Sequence, residues 1–134
     1  LREKHRFTNA RKGQPQNWYS FASGIPGFTY GAVFVQKNRV RTEVYIDSGE
    51  ALRNKAIFDL LFKDRELIEN QLGMKLQWER MDERRASRIS LYRQGSILSN
   101  EDELEEILLW HLEKLLEFKR VFGPVLKRVL KAVK

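Results

Sequence analysis

Two histidines, eighteen carboxylates and twenty-five lysines and arginines are the groups with which this sequence could do chemistry, and their spacing decides which chemistries stay open. The histidines are His5 and His111, and there is no cysteine, so a zinc site built from cysteine and histidine lacks its donors. His111 stands between Trp110 and Leu112 in a leucine-rich run, the setting of a packed structural histidine rather than a ligand or base. Neither G-x-x-x-x-G-K-[ST] nor G-x-G-x-x-G occurs, so the phosphate-cradling loops have no support. A metal-dependent nuclease needs an acidic residue on one strand and Glu-x-Lys on the next to hold Mg²⁺ against phosphate. The one such triplet, Glu117-Phe118-Lys119, falls deep in a helical pattern. Asp47 and Glu50 flank Gly49 and read as a helix cap and first-turn acid. No catalytic residue, metal or cofactor is expected, and the isolated chain is expected to show no nuclease activity.

Binding chemistry remains. "KLQWERMDERRASRISLYRQ", Lys75–Gln94, carries six lysines and arginines and two aromatics. A loop at Asp82–Arg85 would make it a hairpin with Trp78 facing Ile89, Leu76 facing Leu91, Gln77 opposite Ser90 and Glu79 opposite Arg88. An opposite-charge pair across two strands is worth about 0.2–1 kcal/mol, so Glu79 and Arg88 satisfy each other and the free charge falls on Arg84 and Arg85 at the loop, and on Arg93. A second hairpin, read with a two-residue loop at Lys37-Asn38 and Gln36 opposite Arg39, puts Phe28, Tyr30, Phe34, Arg39, Arg41, Glu43 and Tyr45 on one face. Aromatics interleaved with arginine bind single strands by stacking and charge, although Arg41 opposite Phe34 would equally form a cation–π pair. Residues 119–134 add six lysines and arginines and no acid. The candidates for contact with DNA or RNA are therefore Arg39, Arg41, Arg84, Arg85, Lys127, Arg128 and Lys131.

The elements that must position these groups follow from hydrophobic period. Gly13 and Pro15 end any preceding helix, a strand follows at about 17–23, and "GIPG" makes a turn. The runs "FTYGAVFVQ" and "RVRTEVYID" alternate with period two. After "DSGE" the period becomes helical, with Leu52, Ala56, Phe58, Leu60, Leu61, Leu67, Ile68 and Leu72 supplying an apolar stripe up to Gly73 as the C-cap; one long helix fits, with a break near Lys63-Asp64 as the alternative. "SNEDELEE" opens the last helix with Ser99 or Asn100 as cap and acids on the positive end of its dipole. Gly123-Pro124 is expected to break or kink it, with a short basic helix beyond. The fold class is α+β: a largely antiparallel five-stranded sheet, ordered βββαββα along the chain, with two long helices on one face. Its core should hold Val33, Val44, Ile46, Phe58, Leu61, Trp78, Ile89, Leu112 and Leu115.

The chain of 134 residues fits a single domain over 1–134, with 1–12 as the remnant of a preceding helix and 119–134 as a basic C-terminal helix segment. It begins at Leu1 without methionine and is expected to be the C-terminal part of a longer protein. The net charge of +7 favours an acidic partner. The lack of cysteine points to a reducing cytoplasm, and no apolar run approaches the roughly 18 residues of a membrane span.

"PQNWYSF", "VRTEVYID", "LGMKLQWERMDERRASRISLYR" and the helix ending "EFKRVFGPVL" together resemble the family known as domain of unknown function 4268, from about Gln14 onward. The resemblance implies a prokaryotic domain often attached C-terminally to a PD-(D/E)XK-type nuclease module, and it brings no catalytic residues. The leading expectation is a non-catalytic accessory domain that assists nucleic-acid binding beside an upstream nuclease domain of the same chain. The alternative is a protein-interaction or dimerisation module working through the C-terminal helix, whose apolar residues exceed one stripe.

Overall fold

The computed structural model describes residues 18–36, 38–96 and 99–133. Five strands run β1 (Trp18–Ala22), β2 (Phe28–Val35), β3 (Arg39–Ile46), β4 (Gln77–Glu79) and β5 (Ser87–Gln94), and the helices are α1 (Ala51–Lys63), α2 (Arg65–Leu72) and α3 (Glu101–Ala132). The strands form one sheet in the order β1-β2-β3-β5-β4, and every neighbouring pair is antiparallel. The α+β class and the antiparallel five-stranded sheet are as expected from the sequence. Three helices stand where two long ones were expected, because Asp64, at φ −97° and ψ 15°, ends α1 and opens α2. The proposed helix remnant at 1–12 lies outside the described residues.

Sequence signals mark most element ends. Gly73 takes φ 75° at the end of α2, a left-handed conformation that costs glycine little. At the start of α3 the Asn100 side chain accepts from the Glu103 amide, and three acids occupy the first turn, where the helix dipole favours them. Pro124 does not break α3, contrary to the sequence expectation: the helix runs unbroken to Ala132. Pro124 and Arg120 are both exposed, so water can meet the carbonyl that proline leaves without an amide. Meanwhile Val121, Phe122, Val125 and Leu126 are buried on the opposite side, where they favour continuing the helix.

The helices cover one face of the sheet. Phe28, Tyr30, Val44, Ile46 and Ile89 pack there against Phe58, Leu61, Ile68, Phe118, Phe122 and Leu126 in one cluster. Each such side chain contributes roughly 1.5–3 kcal/mol on leaving water. Trp78 sits at the rim, its ring 6.2 Å from Phe58 and 5.8 Å from Phe62, with Nε1 donating to Glu69. Gly95 lets the end of β5 pass under α3, since a Cβ there would meet Ile107 Cδ1 at 2.8 Å.

The first hairpin is paired one residue away from the sequence reading. Val35 lies opposite Arg39 and Phe34 opposite Val40, which leaves residues 36–38 as the connection, with Asn38 at φ 57°. A longer connection closed by a left-handed residue is a common hairpin solution. A one-residue shift turns a strand inside out. Phe28 and Tyr30 therefore face the core, as does Phe34, while Val33 lies on the other face and is only half-buried. Periodicity could not choose between the registers, because β2 is apolar at nearly every position. Leu112 is likewise half-buried rather than core. The second hairpin has the expected pairs, with Trp78 opposite Ile89, Gln77 opposite Ser90 and Glu79 opposite Arg88.

Candidate nucleic-acid interface

With the helices on one face, the opposite face of the sheet carries the alternate residues of each strand: Ser20 from β1, Thr29, Gly31 and Val33 from β2, Arg39, Arg41, Glu43 and Tyr45 from β3, Arg88, Ser90 and Tyr92 from β5, and Gln77 and Glu79 from β4. No described helix covers it. A groove of about 610 Å³ lies along it, lined by Tyr19, Phe28, Thr29, Val33, Arg41, Glu43 and Tyr45 among others, a volume within the usual range for ligand pockets.

The floor of this groove is a charged pair set into the sheet. Arg41 Nε donates to Glu43 Oε1 at 2.7 Å, and both side chains are about nine-tenths buried. Glu43 can lie flat because its cross-strand neighbour is Gly31: a Cβ there would stand 2.9 Å from Glu43 Oε2. Beside it, Arg39 stacks on the Tyr92 ring with its guanidinium carbon 4.4 Å from the centroid, and Arg41 reaches the same ring at 5.9 Å. The Tyr92 hydroxyl donates to Glu79 at 2.7 Å, and Glu79 also accepts from Arg88 and Ser90. Burial pushes the Glu79 carboxyl up, but the hydrogen bonds from Tyr92 and Arg88 outweigh it and leave the pKa below the ordinary value. Arg39, Lys75, Gln77 and Tyr92 edge a second, more polar hollow over β4 and β5.

At the other end of β3, two loops are tied together. Arg85 forms a forked contact with Asp47, Nη2 to Oδ2 at 2.6 Å and Nε to Oδ1 at 3.0 Å, and this contact holds the Asp47 carboxyl below its usual range. Asn54, fully buried, accepts from the amide and hydroxyl of Ser48 and donates to Asp47 and to the Arg85 carbonyl. Lys55 is buried beneath the β4–β5 loop, where Nζ reaches the carbonyls of Met81 and Ala86 and Ser87 Oγ within 2.9 Å, and also the Arg80 carbonyl. Burial pulls the Lys55 pKa down, and the Asp82 carboxylate works against it. Asp47 is thus the anchor of a loop clasp rather than the helix cap it resembled, and Glu50 occupies the N-cap without a side-chain hydrogen bond. The motif blocks "YID" and "WERMDERRASRI" meet in this clasp.

The seven candidate cations fall in three places. Arg39 and Arg41 lie on the open sheet face, Arg84 and Arg85 at the β4–β5 loop, and Lys127, Arg128 and Lys131 on α3. Arg41 and Arg85 are paired with carboxylates, and Arg128 donates to Asp64 at 2.7 Å. Arg39, Arg84, Lys127 and Lys131 make no ion pair among the described residues. Of the aromatics expected beside Arg39 and Arg41, Phe28, Tyr30 and Phe34 turn to the helix side of the sheet, Tyr45 stays on the open face as expected, and Tyr92 joins it there. Tyr92 was legible as a partner, since it alternates with Ile89 and Leu91, but the cradle of Gly31 under Glu43 shows only in the observed register. His111 is packed, as its leucine-rich setting suggested: Nδ1 lies 2.9 Å from Thr42 Oγ1, and the residue is 1% exposed. Among the described residues, no group of three or more His, Cys, Asp or Glu side chains could hold a metal ion.

These features define an α+β module whose antiparallel sheet presents tyrosine and arginine on a face that no described helix covers. The family model described as Domain of unknown function (DUF4268) matches residues 1–126, and the chain belongs to that family. No curated protein and no solved structure matches it.

Proposed function

We propose that the chain is a non-catalytic accessory module that takes a single strand of DNA or RNA on the open sheet face and assists a nuclease module of the same protein. The observation that carries this is that Tyr45 and Arg41 line the groove while Tyr92 and Arg39 edge the polar hollow on the same sheet face, with Arg41 reaching the Tyr92 ring at 5.9 Å. Antiparallel sheets that bind single strands work this way, with bases stacked on aromatic rings and phosphates held by arginine. Glu43 and Glu79 favour this over duplex binding. They neutralise Arg41 and Arg88 and leave a face of weak positive charge, suited to stacking more than to a duplex backbone. Arg39 and Lys75 at the rim supply the phosphate contacts.

Fluorescence anisotropy with a labelled single-stranded oligonucleotide across a salt series tests the reading. Each neutralised phosphate contributes about −0.7 to the log–log salt slope for single strands, so two contacts from Arg39 and Lys75 give roughly −1.4. Arg39→Ala should flatten the slope by about 0.7, and Tyr45→Ala should weaken binding at least fivefold, since a stacked base is worth about 1–3 kcal/mol. Absence of binding at low salt, or binding indifferent to both substitutions, would overturn it in favour of the protein-interaction alternative.

A further inference from the structure

The outer face of α3, turned away from the sheet, carries a charge pattern that the fold does not use. Glu106, Glu113, Arg120 and Lys127 recur every seventh residue, so they fall on one line along the helix surface. All four are exposed, and none makes an ion pair among the described residues. Next to this line run Leu109 and Leu116, also seven apart, which are 43% and 60% exposed. Acids thus occupy the first half of the stripe, bases the second half, and leucines the middle.

We infer that α3 pairs with α3 of a second copy of this chain, antiparallel, about a two-fold axis beside Leu116. In that arrangement Glu113 meets Arg120 of the second copy and Glu106 meets Lys127, and the symmetry repeats both contacts, giving four opposite-charge pairs. A parallel pair would set acid against acid and base against base, which is destabilising, so the charge pattern selects the orientation as well as the partner. Leu116 packs on its own symmetry mate. Leu109 falls opposite Gly123, where a Cβ would find nothing within 4 Å, so the backbone there leaves space for a leucine. An isologous two-fold contact of this kind closes on itself and stops at the dimer. It occupies a different surface from the groove and does not depend on the nucleic-acid reading.

Because the chain has no cysteine, single introduced cysteines report the geometry. Under mild oxidation of the full chain, Leu116→Cys should form a disulfide-linked dimer, and Leu109→Cys should link only when mixed with Gly123→Cys. Sedimentation equilibrium should show a dimer that is lost in E106K/E113K and in R120E/K127E, both changed only at exposed positions, and regained when the two variants are mixed. A monomer at every concentration, self-linking of Leu109→Cys alone, or failure of the mixture to associate would each overturn the assignment.

Discussion

At the scale of single residues, the buried titratable groups set how the protein responds to acid. His111 is sealed between β3 and α3, and burial, with the repulsion of Arg93, lowers its pKa from 6.5 to about 4. The folded state thus binds a proton less readily than the unfolded chain. Stability is complete above pH 6.5 and is lost as pH falls toward 4, by about 3 kcal/mol at 1.36 kcal/mol per unit. Asp47, Asp59, Glu69 and Glu79 also have lowered values, from ordinary ones of 3.8 and 4.5, and their contributions are present above those values and fade only below them. The two windows are therefore separable. Urea midpoints measured between pH 7 and 4.5 should fall for the natural chain and stay nearly level for His111→Gln, whose amide does not titrate and can still meet the Thr42 hydroxyl. Parallel pH profiles for the two proteins would show that His111 is not the sensor.

At the scale of elements, α3 keeps its course through a residue that opposes helix. Proline inside a helix costs about 3 kcal/mol relative to alanine, and burial of Val121, Phe122, Val125 and Leu126 on the core side offsets it. Pro124 is exposed, so its removal disturbs no packing. Pro124→Ala should raise the unfolding free energy by about 2–3 kcal/mol with an unchanged denaturant slope; unchanged or reduced stability would mean that the ring itself makes a contact. The two loops joined by Asn54 and Lys55 show the converse logic. Irregular backbone gains order from side chains that satisfy its carbonyls and amides.

Across the whole molecule, the net charge of +7 is divided among separate surfaces. Arg39 and the Asp47–Arg85 clasp lie at opposite ends of β3, about 25 Å apart at 3.3 Å per residue. Lys127 and Lys131 lie on α3, on the far side of the helix layer from the groove. Single-strand binding on the open face should thus keep its salt slope when Lys127 and Lys131 are both changed to glutamate, whereas Arg39→Ala should flatten it; a slope that responds to the tail and not to Arg39 would relocate the interface to α3. In the antiparallel dimer the helix layers meet and the two open faces point outward, so each copy presents its groove independently. Among the described residues no helix is long and apolar enough to cross a membrane.

The sequence by itself determined every element whose signal is local or strictly periodic. The caps at Asn100 and Gly73, and the pairing of Trp78 with Ile89 and of Glu79 with Arg88, all rest on neighbours within one turn or one hairpin. Tertiary structure decided where local signals are degenerate. β2 is apolar on both faces, so only packing under α3 fixes its register, and with it which aromatics line the groove. Pro124 breaks a helix in isolation, but a buried face on the opposite side overrules it. The junction of Asp47 with Arg85, and of Lys55 with the β4–β5 loop, joins residues dozens of positions apart, and no spacing along the chain records which carboxylate or carbonyl a distant cation will meet once the sheet has closed.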